Sequence, residues 1–158
     1  MDPTDENFWQ PLRELQEAMD AELVALYRDR DLAVRPRLTK PVIKLAHGGP
    51  MTIRALADAL GVTHSAASQT VSVLRADGLV ETSAGPDART RIVTLTEEGR
   101  ALVPLLEAEW RATERALAEL DAEVPYSLIA AVADLRAALA RRPFRDRVET
   151  HLPEALRG

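Results

Sequence analysis

The sequence predicts a mainly α fold with one β-hairpin: an α+β lobe in the middle of the chain and a helical lobe built from its two ends. Three observations carry this. Apolar residues step by three or four along most of the 158 residues, the spacing of one helix face. Two short stretches, Leu79 to Thr82 and Arg91 to Leu95, instead alternate or cluster like strands around a run of turn residues. The longest one-sided apolar stripes lie near the two ends, outside that hairpin. With 46% hydrophobic residues, the chain can bury one sizeable core, or form one lobe plus helices that need a partner. We read residues 1–158 as a single domain, with the central lobe at 32–98 and the helical lobe at 6–31 and 97–141.

From Phe8 to Arg30 the residues Phe8, Leu12, Leu15, Met19, Leu23, Leu26 and Tyr27 form a stripe along about six helical turns. A small central lobe cannot cover so long a stripe, so part of it is expected to meet another chain; packing within the monomer is the alternative. Val34-Arg35-Pro36-Arg37-Leu38 breaks the pattern, and Thr39-Lys40-Pro41 restarts it, with Thr39 as cap and Pro41 in the first turn. Val42, Ile43, Leu45 and Ala46 supply the apolar face of this second helix, with Lys40 and Lys44 open to solvent or phosphate. Gly48-Gly49-Pro50 ends it. His47 reads as a helix-end residue meeting carbonyls.

The middle of the chain is TIRALADALGVTHSAASQTVSVLRADGLV, from Thr52 to Val80. Thr52 caps a helix on which Ile53, Leu56, Ala57 and Leu60 share a face, and Gly61 stops it. Val62 is expected to plug the turn. Thr63 caps a further helix with Ala67, Val71 and Leu74 inward, and Gly78 stands at its C′ position. Outward on that helix lie His64, Ser65, Ser68, Gln69 and Ser72, and no charge occurs between Gly61 and Arg75. A solvated face ordinarily carries Lys and Glu in i,i+4 pairs. Short side chains instead let a helix sink into the major groove, where an amide such as that of Gln69 can pair with an adenine edge. A polar helix without a partner is the bland alternative. Next come the two strand-like stretches with Ser83-Ala84-Gly85-Pro86-Asp87-Ala88 between them, a hairpin beside a helix-turn-helix.

The order of these elements, together with PDARTRIVTLTEEGRAL, resembles the MarR family of winged-helix transcriptional regulators. The wing pattern Asp-x-Arg, followed by Leu-Thr-x-x-Gly opening a long helix, is matched by Asp87, Arg89, Leu95, Thr96 and Gly99. Element order agrees over the whole chain, and residue-level agreement over about 52–100. The resemblance implies a winged helix-turn-helix DNA-binding lobe, a dimerisation lobe from the terminal helices, and a homodimeric repressor on a palindromic double-stranded operator. It further implies release by a small aromatic or amphipathic effector held between the lobes, for which Trp9, Tyr27, His47 and Trp110 are the candidates. Arg89 would enter the minor groove with Asp87 holding it or the hairpin. Gln69 stands where a basic residue is frequent in the family. The residues assigned to DNA are Arg54, Thr63, His64, Ser65, Ser68, Gln69, Ser72, Arg75, Asp87, Arg89 and Arg91.

Beyond the hairpin, Thr96 caps a long helix with Glu97 and Glu98 in its first turn, where negative charge favours the helix dipole. Leu102, Val103, Leu106, Trp110, Leu117 and Leu120 mark one face; Pro104 interrupts it, so a kink is expected there. Trp110 reads as core, with a ligand cavity as the alternative. Asp121 to Pro125 breaks the chain, and Leu128, Ile129, Val132, Leu135 and Leu139 define a last helix. The basic tail from Arg141 to Arg147 either touches phosphate or is a solvated end.

The formal net charge of −5 is the wrong sign for a nucleic-acid binder, but it is unevenly distributed. Between Arg35 and Thr96 eight basic residues face four acidic ones, so this segment stands at +4 and the rest of the chain at −9. The absence of cysteine excludes disulfides, thiolate metal sites and thiol-based redox sensing. The three histidines, at 47, 64 and 151, have no metal-ligand spacing, and the common nucleotide, metalloprotease and nucleophile motifs are absent. An enzyme is therefore not expected, nor is a cofactor. Without a signal pattern or an apolar run near 18 residues, a cytoplasmic protein with no membrane association is expected. The rival to a DNA reader is a winged-helix module that binds protein through the same polar helix.

Overall fold

The computed structural model describes residues 7–30, 35–85, 87 and 90–156. The elements are α1 (Gln10–Asp29), a 3-10 turn (Pro36–Leu38), α2 (Thr39–Gly48), β1 (Met51–Thr52), α3 (Ile53–Leu60), α4 (His64–Ala76), β2 (Val80–Ala84), β3 (Arg91–Leu95), α5 (Glu97–Glu123), α6 (Leu128–Arg141), α7 (Phe144–Glu149) and a 3-10 turn (Glu154–Leu156). It is a mainly α protein with one antiparallel sheet of strand order β1-β3-β2. None of the described helices is long and apolar enough to cross a membrane.

The chain divides into two units, Met1–Trp110 and Arg111–Gly158. In the first, the core gathers Tyr27 of α1, Leu38, Val42 and Leu45, Leu56 of α3, Val71 and Leu74 of α4, Val80, Val93 and Leu95 of the sheet, and Leu106 of α5. Each fully buried Leu or Val stabilises by about 1.5–3 kcal/mol, so these positions lock α4 and the hairpin to one support. Thr52 and Thr63 cap α3 and α4, their hydroxyls accepting from Ala55 N at 3.0 Å and Ala66 N at 3.2 Å. Gly61, at φ +70°, reverses the chain between them.

Several expectations are corrected. The hairpin has a third strand, since Met51 and Thr52 pair with Val93 and Ile92 of β3; two residues are too short to show alternation. Val62 does not plug the turn but is 45% exposed. The turn is closed by backbone alone, Val62 N donating to Ala57 O at 3.0 Å, and needs no apolar side chain. Thr39 is not a cap. The 3-10 turn runs straight into α2, and Thr39 lies wholly buried with its hydroxyl 3.0 Å from that of Tyr27. Ala46, expected on the apolar face of α2, is exposed. Trp110, expected in the core, keeps 39% of its surface open.

In the second unit Asp121 joins two helices. Its carboxylate accepts from Ser127 Oγ and from Leu128 N, both at 2.7 Å, while Ser127 caps α6 through Ala130 N. The basic tail contains α7 and is occupied in holding chain ends: the Arg147 guanidinium donates to Ala138 O at 3.0 Å and Arg142 O at 3.2 Å, closing the end of α6. No residue of α6 is buried. Its stripe of Leu128, Ile129, Val132, Leu135 and Leu139 is between 39% and 74% exposed.

Candidate nucleic-acid interface

With Ala67, Val71 and Leu74 of α4 fixed in the core, the rotation of about 100° per residue turns Ser65, Gln69 and Ser72 directly outward, and all three are exposed. His64 and Arg75 are exposed as well, at the first and last turns of the helix, and Ser68 is half-buried. The Ser72 hydroxyl donates to Ser68 O at 3.0 Å, which leaves its lone pairs as acceptors toward a ligand. Thr63 is committed to its capping bond. The face is thus short, uncharged and rigidly backed, and the positive end of the α4 dipole lies at His64 and Ser65.

The wing is the β2–β3 ribbon, in register from Val80 opposite Leu95 to Ala84 opposite Arg91. Arg91 is exposed at the start of β3, and Arg54 is exposed in the first turn of α3. Asp87 is exposed at the wing tip, its carbonyl accepting from Thr90 N at 2.8 Å, and Gly85 N donates to Thr90 O at 2.9 Å. Arg89 lies outside the described residues. The base of the wing is tied to α5 by Thr96, whose hydroxyl donates to Gly78 O at 2.7 Å and accepts from Gly99 N at 3.0 Å. This gives the Leu-Thr-x-x-Gly pattern a physical role: it fixes the glycine that follows α4 to the start of the long helix.

Of the effector candidates, His47 and Tyr27 reach the Glu107 and Glu109 carboxylates on the turn of α5 that carries Trp110, while Trp9 lies at the other end of α1. Trp9 caps the start of α1 and Tyr27 lies in its last turn, 18 residues on, about 27 Å along a helix. Trp9 packs edge-on against Phe8, with ring centroids 5.4 Å apart. Tyr27 is 2% exposed and bonded to Thr39; burial raises its pKa to about 12, with a contribution from the Glu109 carboxylate. His47 does not meet helix-end carbonyls: its Nε2 lies 2.7 Å from Glu107 Oε1 of α5. A hollow of about 450 Å³ between the end of α2, β3 and α5 is lined by Leu45, Leu95, Arg100 and Val103 among others, and by none of the four candidates. Among the described residues no group of three acidic, His or Cys side chains could hold a metal ion.

One basic residue near α4 was missed. Pro36 starts a helical turn, as proline at a first helical position does, and this brings Arg37 to a cleft of about 290 Å³ shared with Gln69. Pro36 marks the turn in the sequence, but no local pattern places that turn beside α4.

A model of the MarR family matches residues 45–90, the span from the end of α2 to the wing. A MarR family transcriptional regulator of Silicibacter pomeroyi is 31% identical, covering 86% of this chain and 95% of its own, with a TM-score of 0.57. The chain belongs to the MarR family. The transcriptional regulator MosR of M. tuberculosis, solved in complex with DNA, is 28% identical over 87% of this chain and 99% of its own, with a TM-score of 0.60. The MepR–DNA complex of S. aureus, at 17% identity over 86% of this chain and 98% of its own with a TM-score of 0.65, shares the fold. No curated protein matches this sequence at a significant level.

Proposed function

We propose that this MarR family protein is a homodimeric, sequence-specific DNA-binding repressor that reads a palindromic operator and is released by a small aromatic or amphipathic molecule. The observation that carries the reading is the face of α4: Ser65, Gln69 and Ser72 exposed, uncharged and backed by a buried Ala67–Val71–Leu74 stripe. Such a helix fits the major groove, with short hydroxyls and one amide against base edges and Arg54 and Arg75 nearer phosphate. Arg89 and Arg91 of the wing would supply minor-groove and backbone contacts.

The dimer is supported by the α6 stripe, which is apolar and open within one chain; a contiguous exposed stripe of this size suits a second copy. For the effector, the 450 Å³ hollow is a second seat beside the aromatic candidates, Leu45, Leu95 and Val103 offering an apolar wall with Arg100 at hand for an acid group. The regulator reading is tested by selecting bound duplexes from a random pool. A palindromic consensus is the expected result; absence of enrichment over random duplex would favour a winged-helix module that binds protein.

A further inference from the structure

The cleft between the Pro36–Leu38 turn and α4 is lined by Arg37, Leu38, Ala66, Gln69, Thr70 and Val73 and measures about 290 Å³. Its chemistry is divided. Leu38, Ala66 and Val73 are apolar, and the Thr70 hydroxyl already donates to Ala66 O at 3.0 Å. The side-chain donors left to an occupant are therefore the Arg37 guanidinium and the Gln69 amide. A free inorganic anion would leave the apolar wall unused, and an apolar ligand would leave the guanidinium unused.

The surroundings strengthen the cation. Arg35, Arg37, Lys40 and Lys44 are all exposed, and among the described residues none of them forms an ion pair. They run from the turn along the first part of α2, so the Arg37 that lines the cleft belongs to a basic run on a chain of net charge −5. Gln69 stands on the rim shared by the cleft and the outward face of α4.

We propose that this cleft seats one sugar–phosphate unit of the DNA strand whose bases Gln69 faces, with Arg37 holding the phosphate and the half-buried Ala66 and Val73 packing against the deoxyribose above the buried Leu38. The proposal rests on the reading of α4 as the base-facing helix. Its consequence is a division of labour across one rim: Gln69 reads, and Arg37 fixes the depth and register at which it does so. The Arg35–Lys44 run raises the local potential for the same strand without contacting bases.

The test uses the full-length protein, its selected operator duplex and a scrambled duplex, with affinities measured over a range of salt. Arg37→Ala should weaken both duplexes by the same factor, about tenfold, as expected for one charge-assisted contact. The salt exponent should fall by about 0.9, one phosphate's worth of counterions. Arg37→Lys should restore most of the exponent. In a scan that replaces single operator phosphates by neutral methylphosphonates, the wild type should lose affinity at one position per half-site where Arg37→Ala loses none. An unchanged exponent, a loss confined to the operator, or identical scan profiles for the two proteins would overturn the seat. A wild type that binds no duplex would overturn the regulator reading itself, an outcome the wild-type titration separates from the others.

Discussion

Gly99 and Leu79 touch through backbone: a Cβ built on Gly99 would collide with the Leu79 carbonyl oxygen. That oxygen also accepts from Thr96 N at 3.1 Å, so the start of α5 is pressed against the bend between α4 and β2. Gly99→Ala should therefore destabilise the fold by about 1–3 kcal/mol through overpacking, although alanine is the better helix former. Urea unfolding gives the answer, and a midpoint equal to that of the wild type would show that the corner can open without cost.

Tyr27 joins α1 to α2 through the 3.0 Å bond to the buried hydroxyl of Thr39. Its pKa is raised from 10.0 to about 12, first by burial and further by Glu109, with the Thr39 bond opposing. A group that holds its proton more tightly when folded contributes stability fully present below its unfolded value of 10 and lost as pH rises toward 12. The protein should thus lose stability progressively above pH 10, and Tyr27→Phe should flatten this alkaline limb while costing about 1 kcal/mol at neutral pH. Stability followed by circular dichroism across that range checks it; an unchanged limb in the variant would place the cause elsewhere.

In the second unit the Asp121 carboxylate is held below its ordinary range by the bonds from the Ser127 hydroxyl and the Leu128 amide. A depressed carboxyl pKa contributes stability present above the unfolded value of 3.8 and lost as pH falls through the folded one. Acidification should fray the start of α6, and Asp121→Asn should fray it at neutral pH and remove the acid dependence. Amide exchange at Leu128 and Ala130 reports this directly. Equal protection of those amides in both proteins at pH 7 would mean that Ser127 alone suffices as cap.

How much of this was legible in the sequence depends on the range of the interaction. Thr52, Thr63, Gly61 and Gly78 act on residues within one turn, and local spacing located them. Thr39 looked like a cap for the same reason, but the partner of its hydroxyl is Tyr27, 12 residues upstream and invisible to a local pattern. The third strand rests on two residues whose pairing with Val93 and Ile92 spans 42 and 40 positions. On α4 the outward face followed from the periodicity of Ala67, Val71 and Leu74, so Ser65, Gln69 and Ser72 were legible together. Arg37 was not, because its relation to Gln69 exists only once the turn at Pro36 folds back toward α4.

The open stripe of α6 leads to a prediction about assembly. If Leu128, Ile129, Val132, Leu135 and Leu139 meet a second copy, then Ile129→Asp with Leu135→Asp should yield a monomer by light scattering at micromolar concentration. A buried unpaired carboxylate is costly enough to dissociate an interface of ordinary strength. Operator affinity should fall with it, because two half-sites would no longer be read together. A double variant that remains a dimer, or a monomeric wild type, would move the interface off this helix.

The last prediction separates positioning from reading. Gln69 is exposed at the centre of an uncharged face, with Ser65 one turn before it and Ser72 one turn after, and a bidentate amide–adenine pair is worth about 1–3 kcal/mol of discrimination. Gln69→Ala should therefore cost about that much at the operator and leave scrambled DNA nearly unchanged. Arg89 matches the family's wing arginine, and a guanidinium in a narrow minor groove acts mainly through potential. Arg89→Ala should weaken every duplex and lower the salt slope, with a residual preference for A·T-rich flanks lost. Competition binding against operator and scrambled duplex at two salt concentrations distinguishes the two residues. Equal losses on both duplexes for Gln69→Ala would mean that the amide contacts backbone and that the reading is done by Ser65, Ser68 or DNA shape.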